Sequence, residues 1–111
     1  MVVSRKEVEE LLSQAREAID NNNVGFIKRS KNVNTLTHFG ILEEDAFDVV
    51  YGLQYNDYWH GPDPDRDNPL GEPLWFFKCS YQRETIYIKF FIRYLENGEL
   101  RLVLFSFHLD E

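Results

Sequence analysis

The sequence predicts an α+β fold, with N-terminal helices packed on one face of a C-terminal antiparallel β-meander. Three observations support this prediction. A capped amphipathic helix opens the chain, an aromatic-rich run follows Pro73, and the pair Asn97-Gly98 separates two runs of alternating apolar and polar residues. The 111 residues are 43% hydrophobic, enough for one packed core, so we expect a single domain over residues 1–111.

The first helix begins at a capping-box signature, with Ser4 as the N-cap and Glu7 reaching back to its backbone. Asn21-Asn22-Asn23 ends it. The apolar residues between recur at helical spacing and predict one buried stripe, made of Val8, Leu11, Leu12, Ala15, Ala18 and Ile19.

The middle of the chain alternates short elements with turn-rich segments. Residues 24–27 predict a short strand, possible at a sheet edge, and the basic stretch 28–31 predicts a loop. Residues 34–39 predict a short helix stopped by the glycine that follows them. Residues 41–51 predict another helix, with acidic residues in its first turn where they suit the helix dipole. Residues 61–69 are rich in Gly, Pro and Asp and predict a long irregular loop.

A two-residue turn at Asn97-Gly98 fixes the register of the last hairpin. Side chains alternate along a strand, so each face of the hairpin is made of every second pair. We expect an apolar core face from the pairs Ile92–Val103, Phe90–Phe105, Ile88–Phe107 and Ile86–Leu109. The opposite face carries the pairs Phe91–Leu104, Lys89–Ser106 and Tyr87–His108.

The aromatic-rich run 74–79 predicts a third strand of the meander. A two- or four-residue loop centred on Gln82-Arg83 places Lys78 opposite Tyr87, whereas a three-residue loop would bury Lys78, which is costly for an unpaired charge. The even-numbered loop is therefore expected, and it adds to the core face Trp75, Phe77 and Cys79. The opposite face then presents a polar cluster of Lys78, Tyr87, Lys89 and His108.

Charge and cysteine content narrow the classes of protein. The net charge of −7 and pI of about 4.9 argue against nucleic-acid binding through an overall basic surface, but leave room for a local basic site such as Lys28-Arg29-Ser30-Lys31. No run is long enough to span a membrane, and the N-terminal residues lead directly into a helix pattern, so we expect no signal peptide. Cys79 is the only cysteine, which excludes an internal disulfide and fits a cytoplasmic protein.

The acidic segment Asp63, Asp65 and Asp67 alternates like the start of a calcium loop. Leu74 stands where the calcium-binding glutamate belongs, so we expect a solvated acidic loop instead. The three histidines have no ligand spacing. We therefore expect no metal and no cofactor.

Five segments together carry a family resemblance. They are Met-Val-Val-Ser-Arg-Lys-Glu-Val-Glu at the start, Tyr58-Trp59-His60-Gly61-Pro62, Leu74-Trp75-Phe76-Phe77-Lys78, Ile86-Tyr87-Ile88-Lys89 and Leu104-Phe105-Ser106-Phe107-His108. In this order they resemble the MqsR-type toxins of bacterial toxin–antitoxin systems. The resemblance implies a RelE-like fold, an endoribonuclease that cuts mRNA without a metal, and a cognate antitoxin that neutralises it.

The resemblance also implies site residues. The family's strand tyrosine and the lysine after it fall on Tyr87 and Lys89. Two basic positions, where the best-known members carry lysine, fall on His60 and His108. The acidic balance of this chain is a further departure, since such toxins are usually basic.

Metal-free RNA cleavage needs a base for the 2′-OH proton, an acid for the leaving 5′-oxygen, and cations on the phosphate. Histidine changes charge near neutral pH, so His60 and His108 are the candidate acid and base. Tyr87 is placed to donate or orient, and Lys78 and Lys89 to hold the phosphate. The candidate RNA-binding residues are Lys28, Arg29, Lys31 and Trp59.

The aromatic residues divide between core and surface. The stripe Trp75, Phe77, Phe90, Phe105 and Phe107 is expected in the core. An apolar patch of Phe76, Phe91 and Leu104 is expected beside the polar cluster, where a partner protein would cover it. Three function classes remain: an endoribonuclease toxin, a non-catalytic protein-binding module, and a small-ligand binding protein using the same pocket.

Overall fold

The computed structural model describes residues 3–109. The first two and last two residues of the single domain predicted over 1–111 lie outside the described residues. The elements are α1 (Arg5–Asp20), β1 (Val24–Phe26), α2 (Ser30–Phe39), α3 (Glu43–Tyr51), a 3₁₀ turn (Tyr55–Asp57), β2 (Tyr58–Asp63), β3 (Leu74–Tyr81), β4 (Glu84–Tyr94) and β5 (Leu100–Leu109). The fold is α+β, with three helices and one mixed sheet among these residues. None of these helices is long and apolar enough to cross a membrane.

Helix α1 has the predicted cap and the predicted buried stripe, except that Ile19 is only partly buried. The Ser4 hydroxyl accepts the Glu7 N–H at 3.2 Å, and the Ser4 N–H donates to the Glu7 carboxylate at 3.1 Å. Satisfying two otherwise orphan backbone donors stabilises the first turn. The residues that α1 buries against β4 and β5 are Val8, Leu11, Leu12, Ala15 and Ala18.

The sheet contains the predicted meander and two further strands. Its order is β1-β5-β4-β3-β2, with β1 parallel to β5 and the other pairs antiparallel. Strand β2 extends over residues 61–63, the start of the segment that was predicted as an irregular loop, and for those residues the prediction was wrong. Gly61 explains why the turn-rich composition is compatible with a strand: it has φ +117°, and a Cβ there would lie 2.7 Å from the Leu74 carbonyl oxygen. Glycine permits both the backbone angle and the close approach.

Helix α2 begins at Ser30, inside the basic stretch predicted as a loop. The cause is tertiary, because the fully buried Asn32 side chain bonds to the edge of the sheet. Its amide donates to the carbonyls of Ile27 at 2.8 Å and Phe105 at 3.0 Å, and its oxygen accepts the Phe107 N–H at 3.0 Å. The pairing of β1 with β5 ends at Phe26 and Leu104. The next backbone groups of β5 have no neighbouring strand, and the Asn32 side chain forms hydrogen bonds with them instead.

The turn between β4 and β5 differs from the prediction. The loop has three residues, 96–98, closed by the Leu95 N–H to the Glu99 carbonyl at 2.8 Å and the Gly98 N–H to the Leu95 carbonyl at 2.9 Å. Within this loop only Gly98 has a positive φ, +84°, whereas a type I′ turn needs a positive φ at both central residues. The predicted two-residue turn at Asn97-Gly98 was therefore wrong. From Phe90 to the turn, the strands pair one residue away from the predicted register.

An irregularity between Lys89 and Phe90 restores the predicted register closer to the chain end. The pairs Ile86–Leu109, Tyr87–His108, Ile88–Phe107 and Lys89–Ser106 are confirmed. The pairs nearer the turn are wrong: Phe90 pairs with Leu104, Phe91 with Val103 and Ile92 with Leu102. The extra residue is Phe105, as expected of a β-bulge.

The bulge moves three side chains relative to the prediction. Leu104 is fully buried in the core, so the apolar patch expected from Phe76, Phe91 and Leu104 loses that member. Val103 lies outside the core cluster, and Phe105 lies beside Lys89 on the opposite face instead of in the core stripe. The rest of the aromatic stripe is confirmed, since Trp75, Phe77, Phe90 and Phe107 belong to or pack on the core.

The turn between β3 and β4 has the predicted even length. It contains two residues, Gln82 and Arg83, at φ +47° and +69°. Tyr81 therefore pairs with Glu84, and Lys78 stands opposite Tyr87. Phe77 is in the core, with Trp75 and Cys79 packed against it, so this prediction is confirmed.

Candidate active site on the open sheet face

Two rows of paired residues cross the sheet on the side opposite α1, which we call the site face. The first row runs His60, Phe76, Lys89 and Ser106 from β2 to β5. The second row runs Lys78, Tyr87 and His108 from β3 to β5. The predicted polar cluster is therefore present as four neighbouring side chains on three adjacent strands.

Both lysines of this cluster lie against aromatic rings. The Lys78 ammonium lies 4.9 Å from the centre of the Trp59 ring, and Trp59 in turn lies 5.4 Å from the Tyr87 ring. The Lys89 ammonium lies 4.9 Å from the Phe76 ring and 5.3 Å from the Phe105 ring. Cation–π contacts of this kind fix the ammonium groups above the sheet.

Lys89 has an environment that disfavours its charge. Burial lowers the pKa of Lys89, and the nearby Arg29 guanidinium lowers it further. Within residues 3–109, Lys89 forms no ion pair. An anion bound beside it would stabilise the ammonium form, so Lys89 is suited to hold a phosphate.

A cavity of about 460 Å³, which we call the main cavity, opens over parts of both rows, and Lys78 is not among its lining residues. The functional side chains around it are Trp59, Phe76, Tyr87, Lys89, Ser106 and His108. His108 Nδ1 lies 3.0 Å from the Leu109 carbonyl oxygen, which can only accept a hydrogen bond. The proton is therefore on Nδ1, and Nε2 is left to exchange a proton with a ligand.

His60 lies in a different cavity. Its Nδ1 is 2.6 Å from the Asp63 carboxylate, and its ring stacks on Phe76 with centres 4.0 Å apart and planes 19° apart. The strands that carry His60 and His108 are separated by two others, a distance of about 14 Å at the usual spacing. The two histidines predicted as acid and base therefore lie on either side of Phe76.

The cavity beside His60, which we call the side cavity, has a volume of about 710 Å³. It shares Phe76 and Lys89 with the main cavity. Its other functional side chains are Arg29, His60, Asp63, Asp65, Arg66, Asp67 and Phe105. The acidic loop therefore faces the cations of the site face.

The predicted RNA-binding residues have different surroundings. Arg29 joins the site face, donating to the Ser106 hydroxyl at 3.3 Å and lying 5.0 Å from the Phe105 ring. Trp59 lines the main cavity. Lys31 is exposed on α2, and its positive charge contributes to lowering the pKa of Lys89. Lys28 instead lies 3.9 Å from Glu43 of α3.

Sequence reasoning missed two contributors to the site. Phe105 was assigned to the core, and no signal in the sequence marks the bulge that moves it. Ser106 was placed opposite Lys89 without a role, and it is the partner that fixes Arg29. Phe76 and Phe91 are half-buried on the site face, so part of the predicted apolar patch is present.

The donor set for a metal ion is missing from the described chain. Among residues 3–109, no three His, Cys, Asp or Glu side chains converge as metal ligands would. In the acidic loop, Asp63 instead bonds to His60, and Asp65 accepts the Asp67 N–H at 3.0 Å.

Comparisons with known proteins add no relative. No family model matches the chain, and neither the curated proteins nor the solved structures gave a significant match.

Proposed function

We propose that the protein is a cytoplasmic endoribonuclease toxin of a toxin–antitoxin system that cuts mRNA without a metal. One observation carries the proposal: Tyr87, Lys89 and His108 meet in one aromatic-walled cavity on an open sheet face. The side-chain types supply a proton acceptor, a proton donor and a cation, which together suffice for transesterification of RNA. The MqsR-type sequence resemblance gives the second support.

The proposed reaction uses the substrate's own 2′-OH as the nucleophile. Nε2 of His108 takes the 2′-OH proton while the 2′-oxygen attacks phosphorus and the bond to the 5′-oxygen breaks. Tyr87 gives a proton to the leaving 5′-oxygen, its phenolate is reprotonated from water, and His108 releases the proton it took to water, which restores both groups. The products are a 2′,3′-cyclic phosphate and a 5′-OH end. Lys89, with Lys78 beside Trp59, stabilises the charge that builds up on the phosphoryl oxygens.

His60 keeps a distinct place in this proposal. The Asp63 carboxylate accepts its Nδ1–H and leaves Nε2 toward solvent or ligand. It reaches the reacting phosphate only if the RNA lies across Phe76. Replacing each histidine separately therefore tells a proton-transfer role of His60 from a binding role.

The test is cleavage of a labelled RNA in EDTA by the variants H108A, Y87F and H60A. His38→Ala is the matched control, because His38 pairs with Glu84 away from both cavities. H108A and Y87F should each lower the rate by about ten- to a thousandfold, the range for losing an acid or base. A binding role for His60 predicts a raised KM with kcat nearly unchanged. Rates like wild type in both H108A and Y87F would remove the assignment.

The antitoxin is proposed to cover the site face. Phe76 and Phe91 are half-buried there beside Lys78 and Lys89, and apolar groups at an open site are typical of a binding surface. Co-expression with a small neighbouring gene product should give a stable complex that no longer cleaves RNA.

A small-ligand binding protein is the second candidate function. The main cavity has the volume of ordinary ligand pockets and combines apolar walls with a few polar groups. Tight nucleotide binding without any RNA cleavage would favour it.

A further inference from the structure

The side cavity combines two kinds of charge that a simple phosphate site would not combine. Lys89 and Arg29 stand on the side of β4, β5 and α2, and both lie against the Phe105 ring at 5.3 and 5.0 Å. The loop after β2 contributes the carboxylates of Asp63, Asp65 and Asp67, and also the Arg66 guanidinium. A ligand that carries an anionic group at one end and hydrogen-bond donors at the other would pair with Lys89 and Arg29 at the first end and with the carboxylates at the second.

A stacking surface lies between these two sides. His60 has one face on Phe76, and 43% of its side chain is exposed. The Asp63 carboxylate holds the ring in this orientation at 2.6 Å. The Trp59 ring also lies 4.8 Å from the imidazole, at 76° to it. A flat heterocycle can stack on the exposed part of the imidazole, as bases do on histidine in single-stranded RNA complexes.

The shared wall fixes where the anionic end would lie. Phe76 and Lys89 line both cavities, so the Lys89 ammonium stands at their junction. A phosphate on Lys89 would link a nucleotide in the main cavity to the next nucleotide in the side cavity. The base of that second nucleotide then extends toward Asp65 and Asp67.

We propose that the side cavity binds the nucleotide adjoining the cleaved one and selects a base with an exocyclic amino group. Adenine and cytosine present an exocyclic N–H donor at the position where uracil presents a carbonyl oxygen, whereas guanine carries its amino group at a different position, N2. Asp65 Oδ1 accepts the Asp67 N–H, which orients the carboxylate, and Oδ2 remains to accept from a base. Carbonyl oxygens of uracil would face a carboxylate and be repelled.

The selection is expected to depend on Asp65 more than on the other two acids. Asp65 is half-buried, whereas Asp67 is exposed and Asp63 is engaged by His60. A carboxylate that is partly removed from water gains more from a charge-assisted hydrogen bond. This inference rests on the proposed function, because it takes RNA as the ligand whose base enters the side cavity.

The test measures binding of free nucleotides, so that it does not depend on cleavage. Calorimetric titration of the whole chain with cytidine 3′-monophosphate and uridine 3′-monophosphate compares two ligands that differ at the edge facing Asp65. The cytidine compound should bind about tenfold more tightly, the ratio that one charge-assisted hydrogen bond supports. D65N replaces one acceptor oxygen by a donor, so it should bring the ratio to about one or invert it.

The control is Asp48→Asn, an exposed carboxylate of α3 outside the cavity, which should keep the wild-type ratio. Equal affinities in the wild-type protein, no binding of either nucleotide, or an unchanged ratio in D65N would each overturn the inference. Failure of the proposed function would show separately, as selective nucleotide binding by a protein that leaves RNA intact.

Discussion

The buried amide of Asn32 offers the sharpest test of how the sheet edge is held. Asn32→Ala removes three hydrogen bonds, two of them to the β5 backbone at Phe105 and Phe107. The alanine cannot replace them, and the site is closed to solvent, since Asn32 has no exposed surface. Each backbone group left unpaired in the interior costs about 1–3 kcal/mol. The two β5 groups alone therefore give an expected loss of about 2–6 kcal/mol of the free energy of unfolding.

Urea denaturation followed by circular dichroism measures this loss. Asn34→Ala is the matched control, because Asn34 is exposed on the same helix and should change stability by about 0.5 kcal/mol or less. At this chain length, 1 kcal/mol corresponds to a shift in Tm of about 4–8 °C, so N32A should melt at least about 8 °C lower. A loss no greater than that of N34A would refute the role of Asn32 as a substitute for a neighbouring strand.

Three further predictions concern glycine, lysine and cysteine. Gly61→Ala should destabilise the fold by at least about 2 kcal/mol, and by more than Gly98→Ala, because both glycines have a positive φ but only a Cβ at 61 would meet the Leu74 carbonyl; equal losses in urea titrations would contradict the close approach. The pKa of Lys89 is lower in the folded chain than its usual value of 10.5. Between the folded pKa and 10.5, the unfolded chain therefore binds more protons than the folded chain. Because of this difference, the contribution of Lys89 to the free energy of unfolding rises with pH up to about 10.5. Relative to wild type, Lys89→Met should therefore lose this rise as the pH approaches 10.5, whereas Lys6→Met on exposed α1 should keep it. Burial raises the pKa of the Cys79 thiol to about 11, so alkylation by iodoacetamide at pH 8 should be more than about tenfold slower in the folded protein than in urea; equal rates would show that the thiol is open to solvent.

Local chemistry predicted those parts of the fold that one short segment determines. The Ser4 and Glu7 cap depends only on neighbours in sequence and is confirmed. The parity of the Gln82-Arg83 turn followed from the cost of burying Lys78, although neither turn residue is a glycine. Patterning was sufficient here because one face of the strand is strongly apolar.

Two shifts of strand register and one contact between distant parts of the chain were not predictable. The three-residue loop ending at Gly98 and the bulge at Phe105 each shift the register by one residue, and their effects cancel at Tyr87 and His108. The predicted pairs at the site were therefore right although the turn was wrong. The start of α2 depends on the contact of Asn32 with β5, far away in sequence, which no local propensity records.

The sequence predicted the residues at the centre of the candidate site, but it did not predict how the residues at its edges are arranged. Lys78, Tyr87, Lys89 and His108 followed from strand alternation together with the parity of the two turns. Sequence spacing carries no information on whether His60 and His108 share a cavity, because β2 lies at the far edge of the sheet.

The chemistry at the cut is the most direct test of the central claim. An RNA oligonucleotide is incubated with the protein in EDTA, beside its all-deoxy counterpart, and the new ends are identified by mass spectrometry. The account predicts a 2′,3′-cyclic phosphate and a 5′-OH on the RNA, an intact deoxy strand, and loss of both products in H108A. An RNA left intact, a deoxy strand that is cut, or ends bearing a 3′-OH and 5′-phosphate would contradict it.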